Sequence, residues 1–224
     1  MLFTKIKKCR ISNDKSLIKI GKLGYFNLTG TFNKTKNNKD LKTPIELVFS
    51  NKSKLLQLAH NYDERKLFGT NYGYRSSLNK SMVSHLKEKK DLLIKTAKPK
   101  KNDSILDIGS NDGTLLNLFS NQFKKYGVDP TAEKFIKYYQ KDIKIIPKIF
   151  KKGIFNKSKK FKIITSVAMF YDLRDPLNFC KQVESNLEKD GIFHVEVAYL
   201  PDILKLFSFD TFCQEHLTYF SFIS

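Results

Sequence analysis

The fold is decided by the stretch Ser104-Ile-Leu-Asp-Ile-Gly-Ser-Asn-Asp-Gly-Thr-Leu-Leu116. Its apolar residues 105–108 predict a buried strand, and the residues from Thr114 onward predict a helix. Glycines between a strand and a helix let the backbone turn tightly and approach a ligand, as in nucleotide-binding crossovers at the carboxyl edge of a parallel sheet. The stretch therefore predicts a ligand-binding turn.

Around this stretch the chain alternates strands and helices. The predicted strands are 105–108, 126–128, 143–146, 161–166 and 192–197, and the predicted helices are 80–96, 114–124, 132–140 and 177–187. Strands that alternate with helices at this spacing indicate crossover units. We therefore predict an α/β fold with a Rossmann-like parallel sheet.

The N-terminal part differs in pattern from the rest. Residues 1–60 contain short apolar pieces separated by Gly, Asn, Thr and Lys, which predicts a small, loop-rich β module. Pro99, within a basic stretch, marks a boundary. The predicted parts are an N-terminal module at 1–65, a substrate-side segment with a linking helix at 66–100, and the Rossmann-like domain at 101–224. The sequence ends at 220–224 within an apparent strand, so we expect a fragment of a longer protein.

Composition narrows the class of protein. No apolar run approaches the about 20 residues that span a bilayer, and the start of the chain lacks the apolar region of a signal peptide. Cys9, Cys180 and Cys213 are too few and scattered for a disulfide framework, so reduced thiols and a soluble, cytoplasmic protein are expected. The net charge of +19 has two interpretations: lysine enrichment on solvated faces, or attraction of an anionic substrate or nucleic acid.

The turn itself places an acid before its glycines. A dinucleotide-binding turn would read Gly-x-Gly-x-x-Gly, which places a pyrophosphate on the helix N-terminus. Instead, Asp107-Ile-Gly109-Ser110-Asn111-Asp-Gly113 resembles motif I of class I methyltransferases, whose loop cradles the amino-acid and ribose parts of S-adenosylmethionine. Asn111 stands where that family often has a glycine, and Asn also adopts left-handed backbone conformations. The resemblance implies that these five numbered residues bind the cofactor.

Two further segments are candidates for the same cofactor. Asp129 closes the next strand, where an acid can accept hydrogen bonds from ribose hydroxyls. A single Asp at such a place is equally typical of a turn or a helix cap, but the pair with Asp107 favours the cofactor. Ala168 and Met169, at the edge of the fourth strand, are predicted to pack near the adenine or methionine part; core packing is the alternative for Met169.

Candidate catalytic residues lie near the C-terminus. Glu215 and His216 are adjacent, and a His tuned by a carboxylate is a suitable general base, although a lone His is more often a surface or capped residue. Upstream, Tyr72, Tyr74 and Ser76 can supply phenol and hydroxyl groups, with aromatic packing as the alternative for the tyrosines.

Four ordered motifs extend the resemblance over nearly the whole chain. They are Asn71-Tyr-Gly-Tyr-Arg-Ser-Ser-Leu-Asn79, Leu106-Asp-Ile-Gly-Ser-Asn-Asp-Gly-Thr-Leu115, Ala168-Met-Phe-Tyr-Asp-Leu173 and Asp210-Thr-Phe-Cys-Gln-Glu-His-Leu217. Together they resemble the sugar C-methyltransferases of deoxysugar biosynthesis, which act on nucleotide-linked deoxysugars. This resemblance implies a transferase that removes a proton next to a keto group and methylates the resulting carbanion.

The resemblance also implies residue roles. In the family a His-Glu-His segment supplies the base; here His216 matches its second His and Glu215 its Glu, whereas Gln214 replaces the first His. His216 is thus implied as the base, with Glu215 and Tyr74 as orienting or enolate-stabilising groups. Tyr72, Ser76 and Tyr171 are the implied substrate residues.

The N-terminal module departs from the family pattern. Family members bind zinc there with two Cys-x-x-Cys pairs. The matching positions here are Cys9, Ser12, Ser50 and Ser53, and one thiolate with three neutral hydroxyls cannot make a normal structural zinc site. No zinc is therefore expected.

Two other functions remain open at this point. One is a methyltransferase for another substrate, including RNA, which the positive charge permits; the absence of an Asn-Pro-Pro-Tyr-type base-methylation motif disfavours it. The other is a non-catalytic cofactor-binding protein, left after loss of the metal ligands and a C-terminal region. A small-molecule substrate and no membrane partner are expected for the main interpretation.

Overall fold

A computed structural model of the chain describes residues 1–30, 32, 41–69, 72–156 and 158–224. Asn71, the first residue of one predicted motif, lies outside these residues. The strands are β1 Phe3–Lys5, β2 Leu17–Asn27, β3 Lys42–Ser50, β4 Leu55–Leu58, β5 His60–Tyr62, β6 Ser104–Ile108, β7 Lys124–Val128, β8 Ile143–Ile146, β9 Phe161–Val167, β10 Leu187–Glu196 and β11 Thr218–Tyr219.

The α-helices are α1 Glu64–Leu67, α2 Lys80–Ala97, α3 Thr114–Asn117, α4 Ala132–Phe135, α5 Pro176–Asn186 and α6 Leu200–Lys205. Short 3₁₀ helices cover Ser76–Leu78, Ile136–Tyr138, Phe170–Asp172 and Phe209–Thr211. The chain divides into two compact units. The first unit is Met1–Gly73, Ala168–Leu177 and Val197–Ser224, and the second unit is Tyr74–Val167 and Asn178–Glu196.

The second unit is built on a five-stranded sheet in the order β10-β9-β6-β7-β8, and every pair is parallel. All five residues of β6 are buried. Ile105, Leu116 and Ile163 belong to one apolar core and expose none of their surface. Strands of a parallel sheet are covered on both faces, which explains why β6 is a nearly continuous apolar run. The predicted α/β fold with a parallel sheet is confirmed.

Helix α2 begins and ends as its sequence suggests. The Asn79 side chain caps its N-terminus by accepting a hydrogen bond from the Ser81 amide. Its buried residues include Leu86 and Leu93, which pack into the core of the second unit. At the other end Lys98 adopts a left-handed conformation, and Pro99 follows.

Three element predictions were wrong in extent. The helix predicted over 114–124 ends at Asn117, because the Asn117 side chain bonds the backbone of Tyr138 and Gln140 instead of facing solvent on a longer helix. The helix predicted over 132–140 becomes the short α4 followed by a 3₁₀ turn. The apparent strand at 220–224 is also absent: only an isolated bridge joins Phe220 to Tyr199.

The first unit contains two antiparallel sheets. One has the order β11-β4-β3-β2, and β1 pairs with β5 in the other. Its apolar core includes Leu58, Tyr62 and Tyr219. Tyr219 reaches this core because β11 pairs with β4, so the N-terminal strands are completed by a strand from near the end of the sequence.

Among the described residues, no helix combines the length and the apolar character needed to cross a bilayer.

Candidate functional site

The turn after β6 depends on three left-handed backbone positions. Gly109, Asn111 and Gly113 have φ values of 81°, 49° and 77°. The Gly109 amide donates to the Val128 carbonyl at 2.8 Å, which joins the turn to the end of β7. A Cβ atom at Gly113 would lie 2.6 Å from the ring of Tyr139. Glycine is therefore required at 113 by both conformation and space, and Asn111 takes the conformation expected for it.

Asp107, the first acid of the motif, is buried at the end of β6. Its carboxyl oxygen Oδ1 accepts a hydrogen bond from the Thr165 hydroxyl at 2.6 Å. Burial raises the pKa of Asp107 to about 7; the nearby charge of Asp129 adds to this rise, and the Thr165 hydrogen bond opposes it. The Asp107 side chain thus contacts the neighbouring strand β9 through Thr165, and its pKa lies near neutral pH.

Asp129 connects the turn to the end of β7. Its Oδ2 accepts from the Asn111 amide at 2.9 Å, and its Oδ1 accepts from the Thr131 amide at 2.6 Å and from the Thr131 hydroxyl. The turn role considered above is therefore present, through Thr131. A carboxylate has about four acceptor positions, and these three bonds leave one for a ribose hydroxyl. The residues at this sheet edge fit a cofactor that carries a ribose.

The segment before α2 is attached to the same turn. Oδ1 of Asn111 accepts from the Ser76 amide at 3.0 Å, and its Nδ2 donates to the Tyr74 carbonyl at 3.2 Å. The Tyr74 side chain is 46% exposed. Two of the predicted substrate-side residues, Tyr74 and Ser76, thus lie next to the predicted cofactor turn.

His216 lies in the first unit with a defined tautomer. Its Nδ1 is 2.9 Å from the Thr211 carbonyl oxygen, which can only accept, so Nδ1 carries the proton and Nε2 has a free lone pair. Burial lowers the pKa of His216, although the Thr211 carbonyl and Asp210 oppose this. The ring centroids of Tyr171 and His216 are 4.3 Å apart in an edge arrangement. A neutral imidazole with an available Nε2 is the form that a general base needs.

Glu215 is accompanied by a second carboxyl group. Burial raises the pKa of Glu215, against a hydrogen bond from Thr29. The pKa of Asp172 is raised well above its ordinary value by burial and by the charge of Glu215. Gly30 is packed so closely that an added Cβ would overlap the Glu215 carboxylate and would lie 3.1 Å from the ring of Tyr72. Burial thus favours the neutral form of both carboxyl groups.

Gln214 has a structural role. Its Nε2 donates to the carbonyl oxygens of Phe26 and Asn27 at 3.2 and 3.1 Å and to the Thr43 hydroxyl at 3.1 Å. The side chain is fully buried. The residue that replaces the family's first His is therefore used to join the C-terminal segment to β2 and β3 within the first unit.

The predicted site residues fall into two groups. The second unit contains Asp107, Gly109, Ser110, Asn111, Gly113, Asp129, Tyr74 and Ser76. The first unit contains His216, Glu215, Tyr171, Tyr72, Ala168 and Met169. Ala168 follows the last residue of β9 with a φ of 52°, a conformation that costs a residue with a Cβ roughly 1–2 kcal/mol.

The positions that match the family's zinc ligands form a hydrogen-bonded cluster. The Cys9 sulfur is 3.2 Å from the Ser53 hydroxyl, and the hydroxyls of Ser12 and Ser50 are 3.3 Å apart. Burial raises the pKa of Cys9, but hydrogen bonds from Ser12, Ser53 and the local backbone outweigh it and bring the pKa to about 6. One thiolate and three hydroxyls do not fit structural zinc. Across the described residues, no cluster of three or more His, Cys, Asp or Glu side chains is placed to hold a metal.

Several residues around these groups were not singled out from the sequence. Thr165 binds Asp107, Tyr139 packs on Gly113, and Asp172 accompanies Glu215. Asp172 lies inside the motif 168–173, which was a usable signal. The other two contribute through contacts between distant positions and carry no local signal.

Comparison with known proteins places this geometry in a family. The model of a family described as "Methyltransferase domain" matches residues 82–222. The C-methyltransferase NovU of Streptomyces niveus is 27% identical over 223 residues, which cover 96% of this chain and 53% of NovU. The chain therefore spans about half the length of that relative.

Two weaker similarities were also found. A tRNA U34 carboxymethyltransferase of Campylobacter lari is 26% identical over 110 residues, covering 44% of this chain and 36% of that protein. The crystal structure of the YcgJ protein from Bacillus subtilis aligns with a TM-score of 0.50 at 24% identity, covering 62% of this chain and 63% of that one, which supports the fold. Because the family model matches more than half of the sequence, this chain belongs to the methyltransferase domain family and carries a class I S-adenosylmethionine-dependent methyltransferase domain.

Proposed function

We propose that the chain is a C-methyltransferase that uses S-adenosylmethionine to methylate a carbon next to the keto group of a nucleotide-linked deoxysugar. The observation that carries this proposal is the tautomer of His216, whose Nδ1 bonds the Thr211 carbonyl and leaves Nε2 free in a half-buried position. The similarity to NovU, a C-methyltransferase, supports the same reaction type.

The proposed chemistry begins with proton removal. Nε2 of His216 takes a proton from the carbon next to the keto group and becomes an imidazolium, while the Thr211 carbonyl holds the ring in place. Glu215 orients the acceptor or the base, and the exposed Tyr74 phenol donates to the enolate oxygen. When bound, S-adenosylmethionine supplies an electrophilic methyl group, which the substrate carbon receives as the carbon–sulfur bond breaks.

The cofactor roles are assigned to residues of the second unit. The turn 109–113 approaches the cofactor through its backbone, and Asp129 accepts from a ribose hydroxyl through its remaining acceptor position. Asp107 fixes the start of the turn through Thr165. Ala168 and Met169 are proposed to pack on the adenine or methionine part, and Tyr72, Ser76 and Tyr171 to contact the sugar nucleotide.

The division into parts at 1–65, 66–100 and 101–224 is kept as a proposal, with 1–65 as a metal-free form of a zinc module. We also propose a cytoplasmic location, because the three unpaired cysteines suit a reducing compartment.

The test starts with calorimetric titration of the purified chain with S-adenosylhomocysteine. Micromolar binding is expected, and it should be lost in Asp107→Ala. The chain is then incubated with S-adenosylmethionine and a panel of keto-deoxysugar nucleotides, and products are checked by mass for one added methylene unit.

Three other outcomes would contradict the proposal. A folded chain that binds no S-adenosylhomocysteine would indicate a protein that has lost the cofactor. Cofactor binding without methyl transfer to any keto-sugar nucleotide would overturn the substrate assignment. Salt-sensitive retention of RNA, together with methylation of that RNA, would establish the RNA enzyme instead.

A further inference from the structure

Asp112 is a buried acid in the cofactor turn that the proposed chemistry leaves without a role. It exposes 1% of its surface. Its Oδ2 accepts from the Ser77 amide at 3.2 Å and from Nε of Arg75 at 3.4 Å, and its Oδ1 accepts from the Thr114 hydroxyl. Burial raises the pKa of Asp112, but the hydrogen bonds from Ser77, Thr114 and Arg75 lower it overall. Asp112 is thus held as a carboxylate directed at the segment before α2.

Arg75 occupies the other side of this contact. Its guanidinium carbon lies 3.6 Å from the ring centroid of Tyr138, Nη1 donates to the Tyr138 hydroxyl at 2.8 Å, and Nη2 donates to the Ser77 hydroxyl at 2.7 Å. Its side chain is 20% exposed. Every nitrogen of the guanidinium therefore has a partner, and the planar group is fixed in one orientation.

These contacts fix the backbone directly after the Tyr74 side chain. The Tyr74 carbonyl is bound by Asn111, and the next residue, Arg75, is anchored by Asp112 and Tyr138. Tyr74 itself is 46% exposed. A fixed backbone limits the positions that the exposed phenol can reach, which lowers the entropic cost of placing it against a substrate.

We infer that Arg75 and Asp112 form a positioning pair that holds the substrate-side segment 74–77 on the cofactor turn and thereby aims Tyr74 and Ser76. The inference rests on the proposed function for the roles of Tyr74 and Ser76. The pair touches neither substrate nor cofactor; it acts through the segment. Because the pair joins the segment to the turn, cofactor binding that orders the turn should also order the segment. The segment is therefore best positioned in the cofactor-bound chain.

The test compares Arg75→Gln with Arg65→Gln. Arg65 makes the matched control, because it also pairs with an aspartate, Asp63, but its side chain is 90% exposed. Hydrogen exchange of the amides of residues 74–79 is measured with and without S-adenosylhomocysteine. In the wild type and in Arg65→Gln, the ligand should slow exchange of the Ser77 amide. In Arg75→Gln this amide should exchange about tenfold faster, and the protection by the ligand should be largely lost.

Kinetics with the keto-sugar nucleotide give the second readout. We expect kcat of Arg75→Gln to fall about tenfold or more, with S-adenosylhomocysteine affinity changed less than about threefold. Adding Asp112→Asn to Arg75→Gln should cost little more, because two members of one pair are not additive. Urea midpoints of all variants establish that each is folded.

Two results would overturn the inference. One is wild-type exchange of the Ser77 amide in Arg75→Gln. The other is a full additive loss in the double variant, which would mean that the two residues act separately. If the wild type turns over no keto sugar, the proposed function has failed, yet the exchange experiment still decides whether the pair holds the segment.

Discussion

The phenol of Tyr139 donates a hydrogen bond to the backbone carbonyl of Asn111 at 2.8 Å. The Ser110 hydroxyl lies 2.8 Å from the same phenol oxygen and must be the donor of that second bond, because the only phenol proton is already used. Burial raises the pKa of Tyr139, which keeps this proton in place. Tyr139 therefore supports the proposed cofactor turn with two hydrogen bonds in addition to its ring contact with Gly113.

Removal of this hydroxyl should destabilise the turn. We expect Tyr139→Phe to lower the free energy of unfolding by about 1–3 kcal/mol, because the Asn111 carbonyl and Ser110 hydroxyl lose a buried partner. Affinity for S-adenosylhomocysteine should also weaken. Urea titration and calorimetry measure the two effects. Tyr25→Phe is the control, since Tyr25 is 56% exposed and should change neither quantity. Equal stability of both variants would contradict the supporting role.

The proposed base can be separated from cofactor binding. His216→Ala should abolish methyl transfer and leave affinity for S-adenosylhomocysteine nearly unchanged, because the proposed cofactor residues around Asp129 belong to the second unit. His85→Ala, which removes an imidazole from the second unit that is paired with the carboxylate of Glu196, is the control and should retain methyl transfer. Full activity of His216→Ala would show that another group removes the proton.

The pH dependence of methyl transfer should show the acidic limb of His216. Its pKa is lowered from the ordinary value of 6.5 by burial, so the imidazole is neutral at pH 7 and only becomes protonated below about 6.5. The rate should therefore be constant around neutral pH and fall as pH decreases through a pKa below this value. Rates of single turnover between pH 5 and 8 test this. A limb centred above pH 7 would be inconsistent with His216 as the base.

Asp107 should make the cofactor-free chain less stable as pH rises. Its pKa is about 7 in the folded chain and 3.8 as an ordinary value, so the folded state binds more protons than the unfolded state within this window. The contribution of Asp107 to the free energy of unfolding is therefore most favourable at low pH and decreases as pH rises from about 4 to 7. Asp107→Asn removes the titration. The free energy of unfolding of the variant, relative to that of the wild type, should therefore increase by about 2 kcal/mol or more between pH 5 and pH 8.

Urea unfolding at the two pH values measures that difference. Asp91→Asn supplies the control, because Asp91 lies in α2 of the same unit with a 61% exposed side chain. A difference between Asp107→Asn and the wild type that does not change with pH would show that Asp107 is ionised in the folded chain throughout.

What the sequence alone determined was local. The short segment 104–108, in which Ile105, Leu106 and Ile108 are apolar, is followed by glycines at 109 and 113. These neighbouring residues are sufficient to predict a buried strand and a ligand-binding turn, because strand burial and tight turns depend on local sequence. The parallel sheet followed from the spacing of such units. The roles proposed for His216, Glu215 and Tyr74 remain predictions that the experiments above test.

Only the tertiary structure decided how distant segments combine. Strand β11 completes a sheet begun by residues 17–58, and the charge of Glu215 helps to raise the pKa of Asp172, which lies 43 positions earlier in the sequence. Arg75 meets Asp112 across a sequence separation of 37. Helix α3 likewise ends early because the side chain of Asn117 has partners beyond it in sequence. Local sequence periodicity does not predict these contacts, because each one joins residues that become neighbours only in the folded chain.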